Sequence, residues 1–282
     1  MNEFSRTLID RSGYDGDRFA EVYDRYRPSP PSTMLDILTL IAQVERPRLV
    51  VDMGTGTGLS ARVWSDRASM VVGIEPNPTM VARARRVTAA ANVSYVRAFA
   101  SGAGLATGVA DIVTCAQSFH WMEPMDVLAE AARLLRHGGV FAAYDYDVPP
   151  IVHPEVDAAF SEHFDARRKA RERLGLEAGA ATWPKEHHLD RIRASGCFRF
   201  AREAVCHGMG EIDAAGIVGL AESVGGPRDL FGGAAPEVDE TFRRLEEAAR
   251  RVLGETRWPM VVCYRVRLGV KLVEAIGLLA SY

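Results

Sequence analysis

The stretch "LVVDMGTGTGLS", residues 49–60, decides the fold of this chain. Apolar residues lead into Asp52, three glycines then alternate with threonines, and a helix start follows. A continuous apolar run is typical of a strand buried on both faces, and glycines let the backbone turn tightly and approach a ligand closely. The stretch therefore predicts a strand, a glycine-rich turn and a helix, an arrangement that often binds nucleotides.

The same alternation of strand and helix continues after this turn. Helical patterns separate the apolar runs, and the last of these helices, "MDVLAEAARLLRHGG", is predicted to stop at its glycines. Five strands separated by helices predict a mostly parallel sheet with helices on both faces, which binds ligands at the carboxyl ends of its strands. The predicted strands are "RLVVDM", "SMVVGIEP", "VSYVRAFA", "ADIVTCAQSF" and "VFAAYDY". The residues at or just after their ends include Asp52, Glu75, Phe99, Gln117 and Asp145.

Outside this alternating region the pattern is less regular. Helices are predicted over residues 17–27 and 33–44, and one long helix over residues 153–175. Beyond these, "CFRFAREAVCHGM" predicts a strand, "PEVDETFRRLEEAARRVLG" an amphipathic helix and "WPMVVCYRVRLGV" a final strand. The apolar residues 270–282 are not placed.

Composition restricts the classes of protein that the chain can belong to. Its 282 residues are 48% apolar, which is enough for a sizeable core, and the net charge of −3 makes nucleic acid an unlikely partner. The sequence has no long apolar run and no signal segment, and its four cysteines are scattered. These features predict a cytoplasmic protein with no membrane partner. The adjacent pair His187 and His188 makes a poor metal ligand set, so no metal site is expected, and the oligomeric state stays open.

Two ligands compete for the glycine-rich turn, a dinucleotide and S-adenosylmethionine. The loose pattern G-x-G-x-x-A from Gly56 fits a dinucleotide weakly, and Glu75, seventeen residues after Gly58, suits the ribose of either ligand. Asp52 favours S-adenosylmethionine, because a carboxylate beside a pyrophosphate costs a few kcal/mol at an effective dielectric near 20. The carboxylate of Asp52 would instead attract the ammonium at the methionine end of S-adenosylmethionine. The alternative is that Asp52 only caps the turn or the next helix.

Several motifs resemble the class I S-adenosylmethionine-dependent methyltransferases, in a small-molecule branch similar to methyltransferase type 11. They are "VVDMGTGTG", "GIEPNPTM", "ADIVTCAQSFHWM" and "LLRHGGVF", and "YDRYRPSPP" is similar to the opening helix that lies over the cofactor in that branch. The resemblance covers residues 20–148 well and 195–269 loosely.

The resemblance implies a doubly wound α/β fold. Its sheet would have seven strands, mostly parallel with one antiparallel, and a helical cover would lie over the acceptor site. Residues 1–149 would hold the N-terminal helices and the cofactor-binding core. Residues 150–195 would be the helical cover, and residues 196–282 would supply the closing strands and helices of the same domain.

The resemblance also implies a set of cofactor contacts. The glycine turn and the residues after the fourth strand would face the methionine end, and Glu75 would take both ribose hydroxyls. Residues after the second and third strands would flank the adenine, although the acidic residue expected after the third strand is replaced in "AFASGAG". The implied cofactor-binding residues are Asp52, Gly54, Thr55, Gly56, Glu75, Pro76, Met80, Phe99, Ala100, Gln117 and Ser118.

Methyl transfer needs a nucleophile in line with the sulfonium, and a base only where the acceptor must lose a proton. His120, after the fourth strand, is the best candidate for that base; the alternative is a structural histidine bonded to a backbone carbonyl. Tyr26, with Tyr23 on one face of the opening helix, either closes over the cofactor as a catalytic group or packs. One carboxylate of Asp145 and Asp147 could orient an amine, or both could be solvated.

We therefore expect a methyltransferase that uses S-adenosylmethionine, yields S-adenosylhomocysteine and modifies a small organic acceptor, as in secondary metabolism. An NAD(P)-dependent oxidoreductase and a non-catalytic S-adenosylmethionine-binding protein remain the alternatives.

Overall fold

The protein is described from a computed structural model that covers residues 17–175, 183–224 and 233–271. Residues 176–182 of the predicted cover, and residues 272–282 of the unplaced C-terminal segment, lie outside the described residues.

Seven strands form one mixed sheet in the order β3-β2-β1-β4-β5-β7-β6. β1 pairs in parallel with β2 and β4, β2 with β3, and β4 with β5. β7 runs antiparallel to β5. The hydrogen bonds show this direction: the amide of Gly138 donates to the carbonyl of Lys271, and the amide of Lys271 donates to the carbonyl of Gly139. The predicted mostly parallel seven-stranded sheet is thus confirmed. The strands are β1 Leu49–Met53, β2 Met70–Ile74, β3 Val93–Val96, β4 Ala110–Ala116, β5 Leu135–Tyr146, β6 Phe200–Ile212 and β7 Trp258–Val270.

Nine α-helices lie within the described ranges, and most connect the strands in the predicted alternation. The α-helices are α1 Asp17–Tyr26, α2 Ser32–Ile41, α3 Leu59–Arg62, α4 Pro78–Val87, α5 Pro124–Leu134, α6 Pro154–Leu174, α7 His188–Ala194, α8 Ala214–Ser223 and α9 Pro236–Val252. The described ranges also contain short 3₁₀ turns: Ala100–Gly102 follows β3, Phe119–Trp121 follows β4, and Lys185–His187 precedes α7.

The boundary between α5 and β5 corrects the sequence prediction. The helix was expected to continue to its glycines, but it ends at Leu134 and β5 begins at Leu135. Leu135 pairs with Ala110 of β4, and Gly138 adopts a positive φ of 74° while it bonds to the end of β7. Pairing with two neighbouring strands outweighs the helical pattern of this segment. The local sequence cannot show this pairing.

Four other elements differ from expectation. The helix after the glycine turn, α3, has only four residues, and β6 begins and ends three residues later than expected. Two helices, α7 and α8, were not predicted. α8 is apolar on most of its surface, with Ile217 and Leu220 buried, so it lacks a clear amphipathic pattern.

The chain divides into two compact units. The first, here called the sheet unit, contains residues 32–145, 183–206 and 265–271 of the described chain. Its core packs apolar side chains of β1, β4 and β5, such as Val51, Val113 and Phe141, against α5. The second, the helical unit, contains residues 17–31, 146–175, 207–224 and 233–264, and its core includes Phe160, Leu220 and Phe242. The boundary between the units falls within β6 and β7.

Candidate active site

Asp52 lies at the carboxyl end of β1 and holds the glycine turn together. The carboxylate is fully buried, and Oδ2 accepts hydrogen bonds from the hydroxyls of Thr55 at 2.6 Å and Ser60 at 2.5 Å. Oδ1 accepts from the hydroxyl of Thr114 on β4 at 2.7 Å. Burial raises the pKa of Asp52, and the three hydroxyl donors oppose that rise. Asp52 therefore fixes the turn, which was the alternative interpretation, and its attraction for an ammonium stays a prediction.

The three glycines of the turn all have positive φ angles but different surroundings. A Cβ at Gly54 would overlap Met122 and Ser118, and one at Gly58 would overlap the ring and hydroxyl of Tyr95. A Cβ at Gly56 would meet no atom within 4 Å, so at this residue the turn faces open space. Its backbone is thus accessible for the close approach of a ligand, as a cofactor-binding turn requires.

Replacing Gly58 with alanine is expected to lower the free energy of unfolding by a few kcal/mol. Its φ of 80° is costly for any residue with a Cβ, and the overlap with Tyr95 adds an overpacking cost. Denaturant unfolding measures the loss. Gly56→Ala is the matched control, because it has the positive φ without the overlap, and equal destabilisation of the two variants would contradict the role given to Tyr95.

Glu75 follows β2 directly and is joined to the glycine turn. Its Oε2 accepts a hydrogen bond from the amide of Gly56 at 2.9 Å, and Oε1 accepts from the amide of Asn77 at 2.8 Å. Burial raises the pKa of Glu75 to about 7; the two amide donors act against the rise, and the nearby charge of Asp52 adds to it. The structure thus brings the predicted ribose-binding carboxylate next to the most open residue of the turn.

The raised pKa of Glu75 makes the stability of the cofactor-free protein depend on pH. Because the folded protein keeps this proton up to about pH 7 while the unfolded chain loses it near 4.5, stability is expected to fall as pH rises between these values. The loss of stability between these pH values is expected to be about 3 kcal/mol smaller in Glu75→Gln, which is the order of magnitude that a pKa shift of this size produces. Unfolding curves at pH 4.5, 6 and 7.5 measure it, and an identical slope in both proteins would contradict the assignment.

The residues predicted to flank the adenine lie after β2 and β3, which are neighbours in the sheet. Met80 is buried on α4, whose first turn is capped by Asn77, and Pro76 is half-buried. Phe99 precedes the 3₁₀ turn that begins at Ala100, and its carbonyl accepts from the amide of Gly102. Their contacts with adenine stay predictions.

The loop after β4 carries three predicted residues and touches the glycine turn. Gln117 has a φ of 52°, which is rare for a residue with a Cβ and is often found at functional sites. The hydroxyl of Ser118 donates to the carbonyl of Met53 at 2.7 Å, which ties this loop to the end of β1. Nδ1 of His120 lies 3.9 Å from Oδ1 of Asp145, so the predicted base has a carboxylate neighbour at the end of β5.

Two basic residues around Asp145 were missed by the sequence analysis. Nζ of Lys185 lies 2.8 Å from Oδ1 of Asp145, and Nη1 of Arg267 lies 3.1 Å from Oδ2. No local signal singles out Lys185. Arg267 is a charged residue within the apolar strand β7, and such a residue needs a buried partner, so the strand pattern could have pointed to it.

Tyr26 lies in the helical unit. Its ring packs against Gly219 of α8, where a Cβ would overlap it. Its catalytic role stays a prediction.

The described residues contain neither a candidate membrane span nor a candidate metal site. No helix there is long and apolar enough to span a membrane. Within the same ranges, no three His, Cys, Asp or Glu side chains converge in a way that could hold a metal ion.

Comparison with known proteins gives a family match in the same part of the chain. Residues 51–143 match the family model described as a methyltransferase domain. An uncharacterized methyltransferase of Mycobacterium tuberculosis is 34% identical over 117 residues, covering 42% of this chain and 46% of that protein. A probable S-adenosylmethionine-dependent methyltransferase of Saccharomyces cerevisiae is 27% identical over 135 residues, 46% of each chain. The matched region spans about half the length of these curated relatives.

Solved structures share the fold over more of the chain. A structure assigned as a type II methyltransferase from Anaeromyxobacter dehalogenans has a TM-score of 0.62 at 22% identity, and covers 88% of this chain and all of its own. Phosphoethanolamine N-methyltransferase 2 of Haemonchus contortus, solved with phosphomonomethylethanolamine and S-adenosylhomocysteine, has a TM-score of 0.56 at 15% identity. It covers 94% of this chain and 60% of its own. At these identities the likeness shows the fold alone.

Proposed function

We propose that the chain transfers methyl groups from S-adenosylmethionine to a small organic acceptor, in secondary metabolism, because residues 51–143 match the family model described as a methyltransferase domain. The main observation behind the proposal is that two groups meet the glycine turn beside an open residue. Glu75 accepts a hydrogen bond from the amide of Gly56, the loop of Ser118 packs on Gly54, and Gly56 itself faces open space.

The residues present fit the cofactor. The open backbone at Gly56 leaves room for a ligand beside Glu75, whose two carboxylate oxygens suit the two ribose hydroxyls. Gly54, Thr55, Gln117 and the Asp52-held turn would surround the methionine end. No phosphate-binding cation bonds to this turn among the described side chains, apart from Arg62, which donates to the carbonyl of Thr57.

The reaction requires little from the protein beyond positioning and exclusion of water. When bound, the cofactor would supply an electrophilic methyl group, because its sulfur would keep the electron pair of the broken carbon–sulfur bond while a lone pair of the acceptor forms the new bond. This chain's residues would hold the acceptor in line. Where the acceptor carries a proton, His120 would remove it, with the carboxylate of Asp145 3.9 Å away to stabilise the resulting imidazolium.

Part of the predicted acceptor cover packs on the loop after β4. The amide of Trp183 donates to the carbonyl of His120 at 2.8 Å, and the ring of His188 packs edge-on against Phe119. These contacts lie within the sheet unit and support the proposal that residues 183–195 border the acceptor.

The free cysteines Cys115, Cys197, Cys206 and Cys263 support a cytoplasmic location.

Calorimetric titration tests the proposal most directly. S-adenosylmethionine and S-adenosylhomocysteine are expected to bind, and NADH and NADPH are not. Incubation of small-molecule extracts with donor labelled at the methyl group is then expected to yield labelled products detected by mass spectrometry. Binding of a dinucleotide alone would favour an oxidoreductase, and tight binding of the donor with no product in any extract would favour a non-catalytic binding protein.

A further inference from the structure

A charged cluster lies at the carboxyl ends of β4 and β5. Nζ of Lys185 donates to Oε1 of Gln117 and to Oδ1 of Asp145, at 2.8 Å each. Arg267 donates to Oδ2 of the same aspartate at 3.1 Å. Lys185 therefore joins the loop that borders the glycine turn to the strand end that borders His120.

The basic groups around this cluster outnumber the carboxylates. Arg267 also pairs with Glu203, so one guanidinium is shared by two carboxylates, and Lys185 is a second cation beside Asp145. Arg191 adds a further positive charge, because among the described residues no carboxylate lies within salt-bridge distance of it. Its guanidinium lies over the ring of Trp183 and donates to the carbonyl of Pro184.

The charged groups of this cluster also act on the buried ring of His188. Its pKa is lowered to about 4, mainly by burial. Asp145 acts to raise this pKa, whereas Arg191, Arg267 and Lys185 all act to lower it further. Three cations of the cluster therefore lie close enough to His188 to influence its charge.

Lys185 is the member of this cluster best placed to meet a ligand. Its side chain is 39% exposed, whereas the side chains of Asp145 and Arg267 are 9% and 6% exposed. An ammonium has three N–H donors, and the described residues use two of those of Lys185. Arg267 shares the charge of Asp145, so Lys185 does not balance that carboxylate alone and keeps part of its attraction for a second anion.

We propose that Lys185 recognises a carboxylate or a similarly acidic oxyanion of a small molecule bound at this site, and that this group belongs to the acceptor. The inference rests on the proposed methyl transfer and adds the chemical class of the acceptor. The cluster lies beside His120, where the acceptor would bind, and a cationic site offsets the cost of desolvating an anionic acceptor. The methionine end of the cofactor also carries a carboxylate, and the experiment separates the two sources.

The test uses Lys185→Met, Lys185→Arg and the control Lys169→Met, which removes an exposed lysine on α6. A small-molecule extract is separated by anion exchange into an anionic fraction and a neutral or cationic fraction, and each is incubated with methyl-labelled donor. The wild type is expected to label the anionic fraction. Lys185→Met is expected to label this fraction at least about tenfold less than the wild type, because a charge-assisted hydrogen bond would be lost. Lys185→Arg is expected to keep a larger share, and Lys169→Met is expected to match the wild type.

Binding of S-adenosylhomocysteine and of 5′-methylthioadenosine, which lacks the amino-acid end, is measured in the same variants. Unchanged affinity for both in Lys185→Met, together with lost labelling, assigns the anion to the acceptor. Weaker binding of S-adenosylhomocysteine alone would assign the carboxylate to the cofactor and overturn the acceptor assignment. Label in the neutral or cationic fraction would overturn this inference while leaving the methyltransferase proposal intact. Label in no fraction, with unchanged affinities, would contradict both. Unfolding curves verify that each variant is folded.

Discussion

Replacing Glu75 with alanine is expected to weaken binding of S-adenosylhomocysteine at least about tenfold, because two charge-assisted hydrogen bonds to the ribose hydroxyls would be lost. The carboxylate already sits at the open part of the turn, bonded to the amides of Gly56 and Asn77. Calorimetry at pH 8 measures the effect with the carboxylate ionised, since its pKa is raised to about 7. Binding by the wild type is expected to weaken as the pH falls below this value.

Asp111→Ala is the matched control for that measurement. Asp111 is a buried carboxylate in the same unit that accepts the amides of Arg48 and Leu49 and pairs with Arg136, at the opposite end of β1 from the glycine turn. Its removal should lower stability and leave cofactor affinity within about twofold of the wild type, as for a site with no shared partners. Unchanged affinity in Glu75→Ala would remove the ribose assignment.

Replacing His120 with alanine is expected to lower turnover by about 10²- to 10⁴-fold, the usual contribution of a general base. Its cofactor affinity should stay near that of the wild type, because Nδ1 of the imidazole lies 3.9 Å from Oδ1 of Asp145 and His120 is not among the predicted cofactor-binding residues. Single-turnover assays with labelled donor measure the methyl-transfer step separately from binding. In the wild type, the rate should fall as pH drops through the pKa of the imidazole, and this dependence should be absent from the variant.

His137→Ala provides the comparison for His120→Ala. His137 is exposed and lies near the start of β5, at the opposite end of that strand from Asp145. It should retain full turnover. Full activity in His120→Ala would mean that His120 is a structural residue and not the general base.

Local sequence patterns were sufficient to predict the framework of the sheet unit. The apolar run of β1, the glycines after it and the polar residues at the strand ends are short-range features, and parallel strands bring such ends to one edge. Asp52, Glu75 and Gln117 lie at those ends as expected. The pattern failed at residues 135–139, where a helical sequence is recruited into β5 by pairing with β4 and β7.

By itself, then, the sequence determined the alternation of strands and helices, the glycine turn and the order of polar residues along the sheet edge, because each depends on neighbours a few positions apart. Only the tertiary structure decided which groups meet. Asp52 receives its third hydrogen bond from Thr114, and Asp145 meets Arg267 across 122 positions of sequence. A buried carboxylate must find donors wherever the fold places them, and no periodicity in the chain records those partners.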